Sequence, residues 1–241
     1  MTQWSFGMVA GLALVAGAGA LTIGRGEAAP ARHAARAPAH NWAATVTRKP
    51  DGAFVLGNPA APVKLTEYFS MTCSHCALFA AEGFGPLEAD YVRSGRVSVE
   101  FRHALRDPFD LAASLLSRCA GPAAAVGTIE AIFAAQSDWL QRATGAQIPP
   151  QPDGAQGAAL VAVAHAAGLD EILRKRGVTD ARQAACLANP AEQRTVVGMA
   201  HEAWDERHIP GTPAFLINGR LLDNTATWQA LEPQLKAALG G

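Results

Sequence analysis

The chain has 241 residues, of which 49% are apolar, and its formal net charge at pH 7 is -1. This length and composition can bury the core of one large domain or two small ones. Acidic and basic residues are interspersed, so the sequence indicates neither a nucleic-acid-binding surface nor an acidic tail.

The first 29 residues differ in composition from the rest of the chain. The stretch from Phe6 to Ile23 is uncharged and rich in Ala, Gly, Leu and Val, which is typical of a signal peptide or an N-terminal membrane anchor. Both alternatives stay open, because no Lys or Arg precedes the stretch and it is nearly long enough to span a bilayer. Either one predicts export of the remaining chain. Residues 30–45 are rich in Ala and Pro and are predicted to form a linker.

The next part of the chain alternates between strand and helix patterns. Residues 53–56 and 63–69 are predicted strands, residues 73–93 a helix disturbed at Pro86, and residues 96–105 a strand. A strand, helix, strand order is a crossover unit and predicts a parallel pair of strands.

Residues 108–207 are predicted to form a helical insertion, with breaks at Gly121-Pro122, within residues 144–157 and at Asn189-Pro190. Strand character returns at residues 213–223, where Asn218-Gly219 predicts a hairpin turn, and a final helix follows. We therefore predict an α/β fold whose two parts, residues 46–107 and 208–241, are separated by the insertion.

Two cysteines, Cys73 and Cys76, are three positions apart at the predicted start of the first helix. This spacing brings their Cα atoms about 5 to 6 Å apart, within the range of a disulfide. The helix N-terminus stabilises an anion, so Cys73 is the expected thiolate, with a pKa lowered from about 8.5 to roughly 3.5–7.5. His75 between them adds a hydrogen-bond donor or a positive charge. The pair is therefore a candidate redox centre.

Three other interpretations of the pair compete with a redox centre. A zinc site is disfavoured, because the remaining cysteines, Cys119 and Cys186, are isolated in the sequence. A c-type haem attachment is excluded, because Ala77 stands where a histidine is needed. A purely structural local disulfide stays open on spacing alone.

Two sequence stretches together resemble the DsbA-like thiol:disulfide oxidoreductases. These are "GNPAAPVKLTEYFSMTCSHCALF" and "IPGTPAFLINGR", and the resemblance covers roughly residues 50–241 apart from residues 144–157. It implies a thioredoxin-like fold with an inserted helical subdomain. It also implies that the protein is located in the periplasm and forms disulfides in other proteins. A thiol reductase, a disulfide isomerase, and a non-enzymatic module that binds peptides or Cu(I) are the alternatives.

The resemblance also implies roles for individual residues. Cys73 is the exposed nucleophile, Cys76 resolves the mixed disulfide, and Glu67 exchanges a proton with Cys76. Thr212 and a cis Pro213 would contact the substrate peptide. Ser74, between the cysteines, is a further substrate contact and a departure from oxidases that have proline there.

The partners implied are proteins with free thiols and a membrane oxidase that passes electrons to quinone. Neither a cofactor nor a metal is expected. If Cys73 pairs with Cys76, Cys119 and Cys186 can form a structural disulfide in the insertion, the alternative being two separate buried thiols. Arg102 and His103, at the end of a predicted strand, are expected at the surface, the alternative being that they modulate the thiols.

Overall fold

Six strands form one mixed sheet in the computed structural model, which describes residues 40–148 and 156–240. Their order across the sheet is β1-β2-β4-β3-β5-β6, and only β3 and β4 run parallel. The strands are β1 (Val46–Arg48), β2 (Phe54–Gly57), β3 (Val63–Phe69), β4 (Val97–His103), β5 (Ala214–Ile217) and β6 (Arg220–Leu221).

The predicted crossover unit and its parallel strand pair are confirmed. Helix α1 (Ser74–Pro86) connects β3 to β4 and continues as a π-helical turn over Leu87–Val92. The winding changes at Pro86 because proline has no N–H to continue the α-helical hydrogen-bond ladder. Aromatic packing holds α1 on the sheet, with the ring of Phe79 centred 4.6 Å from that of Phe215 on β5.

Seven α-helices lie between β4 and β5 in the described ranges, so the predicted helical insertion is confirmed. They are α2 (Pro108–Arg118), α3 (Pro122–Ala134), α4 (Gln136–Gly145), α5 (Gln156–Ala167), α6 (Leu169–Lys175), α7 (Asp180–Leu187) and α8 (Pro190–His201). The predicted breaks at Gly121-Pro122 and Asn189-Pro190 become helix starts, each with proline as the first helical residue. Within these ranges, every helix is too short or too polar to cross a bilayer.

The predicted hairpin joins β5 to β6. Its two loop residues, Asn218 and Gly219, have φ values of 50° and 83°, as the primed turns of two-residue hairpins require. Helix α9 (Trp228–Ala238) ends the described chain, with the Thr227 side chain capping its N-terminus.

The sequence patterns did not reveal β1, which pairs antiparallel with β2 at the edge of the sheet. Residues 40–45 also differ from the prediction of a linker, because Trp42–Ala44 form a 3-10 helix and the Trp42 ring lies against Gly95. The predicted boundary between the linker and the domain, after residue 45, therefore lies too late in the sequence. The predicted signal peptide or anchor, residues 1–29, and the rest of the linker lie outside the described residues.

Candidate active site

Cys73 and Cys76 lie where β3 leads into α1, at one end of the sheet. Cys73 is the N-cap residue of α1, with extended φ and ψ of -89° and 118°, and its carbonyl accepts the first helical hydrogen bond, from the Ala77 N–H at 3.2 Å. Both sulfurs are free thiols; Cys73 is 4% exposed and Cys76 is fully buried. The expected exposed nucleophile is therefore largely covered.

The surroundings of Cys73 favour its thiolate. A hydrogen bond with the Cys76 side chain lowers the pKa of Cys73 to about 4, in opposition to the burial of the sulfur. The Thr212 side chain and the backbone N–H groups of Cys76 and His75 also lower the pKa. These N–H groups belong to the first turn of α1, where unpaired donors stabilise an anion.

Cys76 has the opposite preference. Burial raises the pKa of the Cys76 thiol far above its ordinary value, and the neighbouring Cys73 sulfur and the charge of Glu67 add to this effect. At neutral pH Cys76 is therefore a thiol beside the Cys73 thiolate. The two cysteines differ as a nucleophile and a protonated partner should.

Glu67 is buried on β3 and does not face solvent. It is 0% exposed, and neither carboxylate oxygen has a hydrogen-bond partner among the residues that the structure describes. Burial raises the pKa of Glu67 to about 8, because an ionised carboxylate is poorly solvated inside the protein. Glu67 thus holds a proton at neutral pH, and only its ionised form would add to the raised pKa of Cys76.

The loop before β5 faces the cysteine pair. The peptide bond between Thr212 and Pro213 is cis, as the resemblance implies. The Cys73 sulfur lies 3.1 Å from the Thr212 carbonyl oxygen, to which Cys73 donates a hydrogen bond only in its protonated form. An open cavity of about 350 Å³ beside this loop is lined by residues 210–214, Leu222 and residues 224–226.

Ser74 and His75 are exposed on the first turn of α1, next to Cys73. The expected effect of the His75 side chain on the thiolate has no counterpart in the contacts of the described residues. His75 acts on Cys73 through its backbone N–H instead. Both side chains face solvent from positions beside Cys73.

The prediction of surface positions for Arg102 and His103 is wrong. Arg102 is 8% exposed and pairs with Asp51, Glu100 and Glu202. His103 is 1% exposed, packs on the ring of Phe69 at 4.7 Å between centroids, and has a pKa lowered by its burial.

Sequence reasoning missed the polar side chains that hold the segment before Cys73. Asp110 of α2 accepts a 2.6 Å hydrogen bond from Ser70 Oγ and a 2.9 Å bond from the Met71 N–H. Gln136 of α4 donates to the carbonyls of Met71 and Cys73. Their sequence separation from the cysteines left no local pattern by which to find them.

In the insertion, Cys119 and Cys186 form a disulfide with their Cα atoms 5.7 Å apart. It links the residue after α2 to α7. No group of three or more His, Cys, Asp or Glu side chains placed to hold a metal ion occurs within residues 40–148 and 156–240.

Comparisons with known proteins agree with this fold. A family model described as thioredoxin matches residues 49–237. The crystal structure of a protein-disulfide isomerase from Novosphingobium aromaticivorans superposes with a TM-score of 0.71 at 29% identity, over 78% of this chain and 97% of that one. The structure of alpha-DsbA1 from Wolbachia pipientis gives a TM-score of 0.63 at 21% identity, over 77% and 90% of the two chains.

Curated relatives point to the same class. A Rickettsia conorii protein, provisionally named a protein-disulfide oxidoreductase, is 25% identical over 217 residues, which are 87% of this chain and 71% of the relative. A Rickettsia bellii protein with the same provisional name is 26% identical over 171 residues, which are 70% of this chain and 58% of the relative.

The fold, the relatives and the more similar structural neighbour define the class as thiol:disulfide oxidoreductases with a thioredoxin-like fold. The chain belongs to the thioredoxin family, whose model matches most of its length.

Proposed function

We propose that Cys73 and Cys76 form the redox centre and that the protein acts as an oxidase, introducing disulfides into folding proteins. The observation that carries the proposal is the place of Cys73 at the N-terminus of α1, where the Cys76 side chain and the first N–H groups of the helix lower its pKa from 9.0 to about 4. Neutral pH is about 3 pH units above this pKa, so the thiolate stabilises the reduced pair by about 4 kcal/mol. For a two-electron couple this makes the disulfide more oxidising by roughly 90 mV.

The proposed reaction passes two electrons from the substrate to the enzyme. A substrate thiolate attacks Cys73 of the Cys73–Cys76 disulfide, the enzyme's S–S bond breaks, and Cys76 takes up a proton. Glu67 supplies that proton, because its carboxyl is protonated up to about pH 8 and it lies close enough to Cys76 for its ionised form to act on that thiol. A second substrate thiolate then attacks the substrate sulfur of the mixed disulfide, and Cys73 leaves as a stable thiolate.

Thr212 and Pro213 are the proposed contacts for the substrate backbone, and Ser74, exposed next to Cys73, is a further proposed contact. The support is their position: the Thr212 carbonyl is 3.1 Å from the Cys73 sulfur, and an open cavity adjoins the loop. An extended peptide beside this loop would bring its cysteine to Cys73.

A matched pair of cysteine variants tests the exchange. With a disulfide-linked peptide dimer as substrate, the Cys73 thiolate of Cys76→Ser should attack the peptide disulfide and accumulate as a mixed disulfide, because no resolving thiol is left. Cys73→Ser should give no adduct. Mass spectrometry of the acid-quenched protein detects the adduct. Unchanged function in Cys76→Ser would contradict dithiol exchange and favour binding of a peptide or Cu(I).

The direction of exchange is tested by equilibrating the pair with glutathione. A protein-disulfide isomerase or reductase is the second candidate, favoured by the 29% identity to the N. aromaticivorans protein-disulfide isomerase. A potential near about -120 mV would support the oxidase, whereas one near about -180 mV would favour the isomerase. A potential near or below about -250 mV would contradict the oxidase and favour the reductase.

We also propose that the protein works outside the cytoplasm, in the periplasm, where a membrane oxidase linked to quinone reoxidises it. The uncharged apolar segment from Phe6 to Ile23 and the disulfide between Cys119 and Cys186 support export. Fractionation of cells that produce the full chain, with mass spectrometry of the N-terminus, would distinguish a cleaved signal peptide from a retained membrane tether. Recovery in the cytoplasm with free Cys119 would contradict export.

A further inference from the structure

The four residues between β3 and α1, Ser70 to Cys73, are held from outside the sheet by side chains of the helical insertion. Asp110 binds Ser70 and Met71, and the Thr72 hydroxyl donates to Asp107 Oδ2 at 2.8 Å. Asp107 caps α2 and Asp110 lies in the first turn of the same helix. The backbone that carries the nucleophile is thus attached to elements that follow it by more than 30 residues.

Gln136, the first residue of α4, contacts the backbone of Cys73 itself. Its Nε2 atom lies 2.8 Å from the Met71 carbonyl oxygen and 2.9 Å from the Cys73 carbonyl oxygen. Both partners are acceptors, so the amide nitrogen faces them, and its two hydrogens suffice for both bonds. The side chain is 5% exposed, so water would not replace these bonds readily if they were lost.

We propose that Gln136 is a positioning residue for the nucleophile, an inference that rests on the proposed role of Cys73. The Cys73 carbonyl accepts both from Gln136 and from the Ala77 N–H, which fixes the peptide plane between Cys73 and the first turn of α1. That plane carries the Ser74 N–H and orients the start of α1, and with it the next N–H groups of the helix, those of His75 and Cys76, which stabilise the thiolate. Gln136 therefore acts on the sulfur through the backbone, without touching it.

The test compares Gln136→Met with Gln183→Met. Gln183 is an equally buried glutamine of the insertion, 3% exposed, whose Nε2 also donates to two carbonyls, those of Asp170 at 3.2 Å and Val178 at 2.9 Å. Both substitutions replace an amide by an apolar chain of similar length. Loss of stability should therefore be similar in the two variants, whereas only Gln136→Met should alter the thiolate.

The measurement is the pH dependence of Cys73 alkylation by iodoacetamide in the reduced protein, with thiolate absorbance at 240 nm as a second probe. We expect a midpoint near the Cys73 pKa of about 4 in the unmodified protein. Gln136→Met should raise it by roughly half a unit to one unit, the equivalent of one hydrogen bond, and Gln183→Met should leave it unchanged.

Equal midpoints in Gln136→Met and the unmodified protein, or equal shifts in both variants, would overturn the proposal. If Gln136→Met does not fold, Gln136→Asn serves in its place, because it is neutral and polar but too short to reach both carbonyls. It should shift the midpoint in the same direction, and an unchanged midpoint would again contradict the proposal. An unmodified protein without an acidic midpoint at Cys73 would instead contradict the proposed oxidase function.

Discussion

Replacing Glu67 by glutamine should remove a pH-dependent loss of stability. The carboxyl has an ordinary pKa of 4.5 and a folded-state pKa of about 8, raised by burial. Because the pKa of Glu67 is higher in the folded state, its contribution to the free energy of unfolding is fully present below pH 4.5. That contribution is lost as the pH rises towards 8. From pH 4.5 to pH 7 the unfolded chain ionises while the folded protein keeps its proton. These 2.5 pH units correspond to about 3 kcal/mol.

Urea unfolding at a series of pH values measures this effect, with Cys73 and Cys76 reduced in both proteins. The free energy of unfolding of Glu67→Gln, relative to the unmodified protein, should rise by about 3 kcal/mol between pH 4 and pH 7. Glu171→Gln, a change at an exposed carboxyl on α6, is the control and should give no such rise. A constant difference between Glu67→Gln and the unmodified protein would refute the assignment of a buried, protonated carboxyl.

Three further predictions concern the insertion. Replacing both Cys119 and Cys186 by serine should lower the unfolding free energy by about 4 kcal/mol in urea, because the disulfide closes a loop with a sequence separation of 67; equal stability would contradict a structural role. Asp110→Asn should remove a fall in stability of about 2 kcal/mol between pH 4 and pH 6, since burial raises the pKa of Asp110 from 3.8 to about 6; an unchanged pH profile in urea would contradict this. Trp139→Phe should cost about 1 to 3 kcal/mol, because Nε1 of this buried ring donates to the Ile132 carbonyl at 3.0 Å; thermal unfolding measures the loss, and an unchanged midpoint would contradict it.

The elements around the cysteine pair could be predicted because their signals are local. Alternating apolar residues mark β3, and Asn218-Gly219 marks the hairpin after β5 by the positive φ values that such a turn needs. The two cysteines have the spacing of one helical turn. Strand β1 was missed because it has only three residues and none of them is buried. Its sequence therefore has no apolar pattern.

The burial of charged side chains could not be predicted in the same way. Arg102 occupies a strand position that alternation assigns to the side of the sheet opposite the α1 face, and a helix is needed to cover it. That cover comes from the turn after α8, where Glu202 pairs with Arg102 and accepts a hydrogen bond from Tyr68. A sequence separation of 134 between Tyr68 and Glu202 leaves no local trace of the contact.

The surroundings of Cys73 follow the same rule. The strand and helix that carry the nucleophile are contiguous in sequence, but Thr212 is 139 residues away and Gln136 is 63 residues away. Thr212 contacts the sulfur of Cys73, and Gln136 donates a hydrogen bond to the backbone of Cys73. The pair motif therefore predicts that a thiolate forms, whereas its pKa depends on the cis-proline loop and, as we propose, on the helical insertion. If so, changes in the insertion can adjust the reactivity of Cys73 without altering the motif itself.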